Sequence, residues 1–507
     1  MSLKRNILAN YASQIYVTLA GIIVLPMYLR LMGPEAYGLV GFFTLVQALF
    51  SVLDMGLSPT VSRETARFHG GAVTALNYRK LLRALQILFL AVALVGGVAM
   101  FALSGTIALR WLTFKSLPPE AVIYALQLMA AGVALRWMSG LYRGIVSGAE
   151  QMVWLGGFNA FIATLRFLLV IPMLQYVDNS IGVFFIYQAL VAAIELIVLA
   201  GKTHAALPPI GGGERLGWTP ATLLAPIGPV VRFSLGIAFT STVWVLITQT
   251  DKLILSKLLP LADYGFFTLA VLAASGIMMI SGPISSALLP RLTRIQATGD
   301  AAALIALYRN ATKLVVVLVM PACLVLAFFA EPVMWAWTGN RLASVEAAPV
   351  LRLYAVGNGF MVLSAFPFYL QFAKGELRLH LRGNALFAVI LIPLIIVLAT
   401  SYGMQGAGYA WLICNVGYFI AWVPLVHRQF LPGLHATWLT QDLAGPVVAG
   451  LAACGLMFAS VHWSPERWVL GVQLVCAGAA ALVACALGLA DVRRQLRLRL
   501  NSYFASA

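Results

Sequence analysis

Charged side chains are scarce along this 507-residue chain, at 10% of residues, and acidic ones are scarcer still: 17 Asp and Glu against 33 Lys and Arg. Soluble domains carry about a quarter charged residues, so no stretch here is polar enough to fold as one. Other absences narrow the function. No G-x-x-x-x-G-K-[ST] occurs, which excludes a P-loop motor within this chain. The five cysteines (Cys323, Cys414, Cys454, Cys476, Cys485) form no C-x-x-C and lie in apolar runs, so they read as small packing residues. The six histidines have no metal-ligand spacing. No regular arginine ladder marks a voltage sensor. No connection on the expected outer side is long enough for the external catalytic domain of a glycan polymerase or glycosyltransferase.

Apolar sequence is what remains. Hydrophobic residues make up 61% of the chain, and the mean hydropathy is +0.92. A membrane-spanning helix needs about 20 mostly apolar residues. Windows of that kind fall at 10–31, 38–59, 84–109, 121–146, 153–174, 181–200, 231–256, 265–289, 312–333, 347–372, 383–400, 405–427, 442–462 and 467–490. The sequence thus predicts an all-α polytopic membrane protein with about 14 transmembrane helices. The first span, behind Lys4 and Arg5, reads as an uncleaved helix containing Ser13, Gln14 and Thr18. With both ends in the cytoplasm, only Arg30, Arg110, Lys115, Lys257, Arg341 and Arg467 face outward. The remaining loop and tail basic residues, down to Arg493–Arg499, face inward, and this asymmetry sets the expected orientation. The net charge of +16 is then a topology signal beside anionic lipid, and no nucleic acid partner is expected.

The chain also repeats itself. The segment from Tyr28 to Tyr37-Gly38 returns as Leu255 to Tyr264-Gly265, with Arg30 matched by Lys257 and Leu31 by Leu258. Ser58, Arg63 and Arg67 parallel Ser286, Arg291 and Arg294; Gly148, Glu150 and Asn159-Ala160 parallel Gly375-Glu376 and Asn384-Ala385. Six helices per copy is an even number, which predicts two parallel-repeat six-helix lobes plus two extra C-terminal helices. The expected divisions are an N-terminal lobe at 1–205, a Pro- and Gly-rich linker at 206–230, a C-terminal lobe at 231–430, and a last helix pair with a basic tail at 431–507. Paired lobes of this kind are a transporter layout rather than an enzyme's.

Function should then lie with polar groups inside the bilayer, where each charge needs a partner or a water-filled cavity. Counting depth at about 1.5 Å per residue, Arg136 and Arg166 reach the midplane on adjacent spans. Arg143, seven residues after Arg136, shares its helix face. A forked guanidinium holds phosphate oxygens bidentately and stays charged. These three arginines are the candidate anion site; the alternative is that Arg136 and Arg166 pair with Glu195 and lock the lobe. Asp54 is a candidate proton or cation site, or else an ion-pair partner of Arg63 or Arg67 or a helix cap. Asp251 beside Lys252 reads as a coupling site or as a neighbouring salt bridge. The second lobe carries no midplane charge. Its Asn358, Asn415 and Tyr418 suit hydroxyl-rich ligands or ordinary interhelical hydrogen bonds.

The opening Asn10-Tyr11-x-Ser13-Gln14, the Gly33-Pro34-Glu35-x-Tyr37-Gly38 turn, Asp54-x-Gly56-Leu57 with Ser62-Arg63-Glu64, and Gln249-Thr250-Asp251-Lys252 resemble the polysaccharide-transporter branch of the MOP (MATE-like) exporter superfamily, the Wzx-type flippases of O-antigen, capsule and exopolysaccharide assembly. The resemblance spans about residues 1–430. It implies alternating access between two six-helix lobes in a bacterial inner membrane, with no cofactor and an H+ or Na+ gradient as the energy source. The implied cargo is an undecaprenyl-pyrophosphate-linked oligosaccharide, moved from the cytoplasmic to the periplasmic leaflet. Arg136, Arg143 and Arg166 would take the pyrophosphate, Asn358, Asn415 and Tyr418 the glycan, and Asp54, Glu195 and Asp251 the coupling ion. Implied partners are membrane lipids and polysaccharide polymerase or assembly proteins. Other readings are a lipid II flippase of the MurJ type, a membrane-bound glycan-assembly enzyme, and a scaffold for that machinery.

Overall fold

The computed structural model describes residues 3–54, 56–207 and 227–506. Most of the expected linker, 208–226, lies outside them. So do the side chains of 3–11, 229–241, 286 and 499–506, and with them the expectations on Lys4, Arg5, Tyr11, Arg232, Ser286 and Arg499. All regular structure among the described residues is helical, apart from one isolated bridge between Thr113 and Pro260.

Twelve helices or helix runs among the described residues are long and apolar enough to cross a membrane. The expected fourteen is not reached on that measure, for two reasons. The eleventh and twelfth expected spans run together as Arg378–Phe430, bent where Gly403 leaves helical geometry at φ 57°, ψ −136°. The seventh falls in Ile227–Leu258, only part of which has described side chains. The spans present apolar side chains outward, as a bilayer requires: on the helix Ala75–Thr106, Leu90, Leu94, Val95, Val98 and Phe101 are all exposed.

By contact the chain divides into two compact units, Met1–Gly265 and Phe266–Ala507. In the first, α1 (Leu3–Met32), α2 (Pro34–Val52), α3 (Leu57–His69), α4 (Ala75–Thr106), α5 (Pro119–Gly148), α6 (Met152–Ala163), α7 (Val170–Tyr176), α8 (Ile181–Ala205) and α9 (Ile227–Leu258) follow in order. Helix α5 is the hub, packed against α8, α4 and α3, while α1 packs on α6 and α9 on α2. The second unit starts within α10 (Leu261–Thr298) and continues with α11 (Ala301–Phe328), α12 (Ala330–Thr338), α13 (Arg341–Lys374), α14 (Arg378–Gly417), α15 (Val423–Phe430), α16 (Leu434–Thr437), α17 (Gly445–Ser460), α18 (Arg467–Gly488) and α19 (Ala490–Ser506). Its last helix pair, α17 and α18, packs together and onto α11.

The short motifs have clear structural work in the first unit. Glu35, at the start of α2, is buried and accepts hydrogen bonds from the backbone N–H groups of Lys115 (2.8 Å), Ser116 (2.8 Å) and Leu117 (3.1 Å), and from Ser116 Oγ (2.6 Å). One carboxylate thus satisfies a loop that would otherwise present bare donors near the bilayer. Gly38 lies so close to the chain near Tyr264-Gly265 that a Cβ there would sit 2.0 Å from the Leu261 carbonyl oxygen. The two Tyr-Gly pairs of the repeat therefore meet backbone to backbone, which explains why neither position carries a side chain. The expected span 38–59 ends early: Gly56 takes a left-handed conformation (φ 71°) ahead of α3, and Asp54 Oδ1 accepts from Ser58 N–H (3.2 Å) and Oγ–H (2.6 Å). The polar residues after Val52 thus cap a separate, amphipathic helix.

Candidate functional site: a cationic cavity in the first unit

The three candidate arginines converge. Arg136 and Arg143 project from α5, and Arg166 from the π-helical turn Thr164–Leu168 that joins α6 to α7. With Ser13, Gln14 and Thr18 of α1, Gln47 of α2, Asn159 of α6 and Glu195 of α8 they line a cavity of about 550 Å³. That is within the usual size of small-molecule sites, ~300–1,000 Å³.

Glu195 is the pivot. Its side chain is 4% exposed. One carboxylate oxygen accepts from Arg143 Nε (3.1 Å) and Nη2 (2.5 Å), the other from Arg166 Nη2 (2.6 Å). Arg143 Nη1 also donates to Asn159 Oδ1. Arg136 is held differently, by Nη2 donating to Gln188 Oε1 (2.7 Å) and by the Phe43 ring, 5.0 Å from its guanidinium carbon. Of the alternative pairing, Arg166 with Glu195 is found, while the place of Arg136 is taken by Arg143, about two helix turns further along the same face of α5.

The π turn explains the placing of Arg166. A π turn leaves backbone carbonyls outside the regular ladder, and such turns mark functional positions in helices. Here those carbonyls find side-chain donors: Leu165 O accepts from Tyr187 Oη (2.9 Å), Arg166 O from Gln188 Nε2 (3.0 Å) and Phe167 O from Tyr28 Oη (2.8 Å). Gln188 therefore holds both ends of the constellation, its amide nitrogen on the Arg166 backbone and its oxygen on the Arg136 side chain.

The lining carries three guanidiniums and one carboxylate, an excess of two positive charges. In surroundings of low dielectric such an excess is costly unless an anion or water accompanies it. Arg136 Nε and Arg166 Nε are buried and have no hydrogen-bond partner among the described residues. Chemically, the cavity can hold a multiply charged oxyanion and orient it with forked donors.

The other candidates lie elsewhere. Asp54 caps α3 as described, while Arg63 (3.5 Å) and Arg67 (3.0 Å) pair with Glu64. Asp251 is buried and pairs with its neighbour Lys252 at 3.2 Å; Lys252 Nζ also donates to Thr248 O (2.7 Å). In the second unit, Asn358 and Asn415 meet at Trp411. Asn358 Oδ1 accepts from the Trp411 indole (3.0 Å), Asn358 Nδ2 donates to Ala274 O (2.9 Å), and Asn415 Nδ2 donates to Trp411 O (2.8 Å). Tyr418 packs edge-on to Phe387 and against Trp422. Among the described residues no group of three or more His, Cys, Asp or Glu could hold a metal ion.

Sequence reading noted Ser13, Gln14 and Thr18 as polar residues of a span without assigning them. They share one face of α1 by their spacing, and that face lines the cavity. Gln47, Asn159 and Gln188 were missed as site residues. Each is an amide in an otherwise apolar helix, which was the available signal.

A polytopic helical protein whose buried charge collects around a cavity falls in the transporter class, and comparison with known proteins agrees. Residues 3–296 match the family described as polysaccharide biosynthesis protein. The chain belongs to that family, in keeping with the Wzx-type resemblance of its opening motifs. It is 21% identical over 445 residues to a candidate O-antigen transporter of Shigella flexneri, covering 82% of this chain and 95% of that protein. It is 23% identical over 416 residues to an uncharacterised membrane protein of Methanocaldococcus jannaschii, covering 78% of this chain and 91% of that one. In fold it is similar to the lipid II flippase MurJ in an inward closed conformation (TM-score 0.72, 12% identity, 96% of this chain and 98% of that one). It is also similar to an inward-facing multidrug MATE transporter of the MOP superfamily (TM-score 0.65, 15% identity, 82% and 94%). The two structures show that the chain shares the fold of these transporters.

Proposed function

We propose that this protein flips undecaprenyl-pyrophosphate-linked oligosaccharide repeat units from the cytoplasmic to the periplasmic leaflet of the bacterial inner membrane, for O-antigen, capsule or exopolysaccharide assembly. The observation that carries this reading is the charge balance of the cavity: three arginines and one glutamate leave two positive charges, and a sugar diphosphate diester carries two negative ones. The head group neutralises the excess and offers acceptors to the Nε groups of Arg136 and Arg166. Glu195 acts as the resident counter-ion, holding Arg143 and Arg166 in place while the cavity is empty of cargo. Binding a dianion weakens both pairs, giving the differential interaction with two conformations that alternating access requires. With both termini cytoplasmic, an H+ or Na+ gradient would drive the return, with Asp54, Glu195 and Asp251 as candidate ion-binding groups. Asn358, Asn415 and Tyr418 are candidates for contacts further along the glycan.

The fold likeness to MurJ favours a second reading, a lipid II flippase, whose cargo is also a polyprenyl diphosphate. The family match and the opening motif favour the polysaccharide branch. The test is complementation in two bacterial strains at matched membrane levels of protein, one lacking its polysaccharide flippase and one depleted of its lipid II flippase. Restored surface glycan in the first, lost with Arg143→Gln/Arg166→Gln, supports the proposal. Rescue of the second strain alone supports lipid II. Rescue of neither, with lipid-linked repeats still reaching the periplasm, leaves the scaffold reading.

A further inference from the structure

A second cavity, of about 290 Å³, adjoins the first, and Gln47 and Arg136 line both. Its other polar walls are Ser51 at the end of α2, Asp54 in the turn that follows, Ser58 in α3, and Trp137 on α5. Two buried donors at this boundary lack partners among the described residues, the Trp137 indole N–H and Arg136 Nε. A native structure rarely leaves buried donors unmade, and each such group calls for an explanation. Across from them Asp54 has spare acceptor capacity, since among the described residues its carboxylate oxygens are engaged by the Ser58 N–H and hydroxyl alone.

The charge here differs from that of the larger space. Asp54, absent from the lining of the larger space, sets an acceptor here opposite the donors of Arg136 and Trp137, so this cavity suits a ligand with both donors and acceptors. Sugar hydroxyls do both at once, and the rings of Phe50 and Trp137 supply the apolar wall that a pyranose face packs on. We infer that the smaller cavity is the subsite for the first sugar of the repeat unit, the one attached directly to the diphosphate. This rests on the diphosphate reading above, because the shared residues Gln47 and Arg136 stand where the phosphate–sugar link would pass. Asp54 and Trp137 then become specificity-determining residues, choosing among repeat units by their first sugar.

The test uses the full-length protein in lipid nanodiscs. Binding would be measured for undecaprenyl diphosphate and for its N-acetylglucosaminyl, galactosyl and glucosyl derivatives, and the readout is the affinity ratio of sugar-bearing to bare lipid. The wild type should favour at least one sugar-bearing lipid about ten-fold, equivalent to about 1.4 kcal/mol. Trp137→Phe keeps a ring against Phe89, 4.4 Å away, and Asp54→Asn keeps a helix cap, so both should fold. Each should bring the ratio close to one. Gly140→Ala should lower it too, because the added Cβ would stand 3.3 Å from Ser58 Oγ at the cavity wall. A ratio of one for all three sugars in the wild type, or a ratio untouched by both Trp137→Phe and Asp54→Asn, overturns the inference and leaves the diphosphate reading standing. Failure of bare undecaprenyl diphosphate to bind at all overturns both.

Discussion

The two units carry their paired charge in opposite ways. In the first, Arg136, Arg143 and Arg166 outnumber Glu195 and face a cavity. In the second, Arg309 and Lys313 on α11 meet Asp442 and Asp491. Arg309 Nε and Nη2 hold Asp442 at 2.8 and 2.9 Å, Lys313 lies 3.6 Å from Asp442, and it donates to Asp491 at 2.5 Å. Two cations and two carboxylates cancel. Their neighbours on α11 complete a packed seam: Thr312 accepts from the Trp438 indole (3.0 Å), and Tyr308 bonds His427 (2.7 Å), which bonds His435 (2.9 Å). Balanced charge fastens helices together; unbalanced charge beside an open space waits for a ligand. The repeat sharpens this contrast. Stepping from Asn159 to its match Asn384 carries Arg136, Arg143, Arg166 and Glu195 onto Met361, Phe368, Leu391 and Ile420. Asn159 bonds Arg143, whereas Asn384 bonds His380. At these matched positions the second copy carries no charge.

The comparison breaks most readily at the arginines. The variant Arg143→Gln/Arg166→Gln/Glu195→Gln removes donors and counter-ion together, so no buried charge is stranded. Charge-assisted hydrogen bonds are worth about 1.5–3 kcal/mol each, so affinity for undecaprenyl diphosphate in nanodiscs should fall at least about a hundred-fold. The matching variant of the second unit, Arg309→Gln/Lys313→Gln/Asp442→Asn, should leave that affinity as in the wild type.

Asp442→Ala should show the reverse profile. It removes the fully buried carboxylate that Arg309 and Lys313 share, leaving Arg309 with the Gln441 amide and Lys313 with Asp491, and breaking such a pair costs about 3 kcal/mol. A lower unfolding temperature in detergent, with diphosphate affinity retained among folded molecules, is the expected result. Arg136→Lys comes next. Charge is kept but the fork is lost, so affinity should drop about ten-fold, or about 1.4 kcal/mol. The smallest effect is at Asp491, an exposed group whose carboxyl Lys313 holds below its ordinary value through a hydrogen bond. Its lowered pKa means that its contribution is present above the ordinary carboxylate range and is lost as pH falls through the lowered value. Asp491→Asn should therefore change thermal stability little at neutral pH, within about 1 kcal/mol, and remove a small acid-side decline.

Much of this was legible in the sequence because a bilayer punishes polarity. Helix positions follow from apolar length, and Arg136, Arg143, Arg166 and Glu195 stand out because charges at that depth need partners. The exact partner was not legible. Depth counting assumes regular helices, and the π turn at Thr164–Leu168 changes the rotation of Arg166. Choosing Arg143 rather than Arg136 for Glu195 needs a lateral position that 1.5 Å steps do not give. The early end of α2 is a local matter that hydropathy smoothing hides: Gly56 and the Asp54 cap turn an apparent continuous span into a span and an amphipathic helix. The seam of the second unit escaped because Arg309 and Lys313 lie far from Asp442 in sequence. Their i, i+4 spacing on α11 was the one available hint.

The central claim is that two uncompensated positive charges in the first unit await a doubly charged head group. Its most direct test is equilibrium binding of undecaprenyl diphosphoglucose, undecaprenyl phosphoglucose and undecaprenol, which carry two, one and no negative charges, to the wild-type protein in nanodiscs. The account predicts affinity falling in that order by about ten-fold or more per step, with the steps flattened in Arg143→Gln/Arg166→Gln/Glu195→Gln. Equal affinity for all three lipids in the wild type would contradict it.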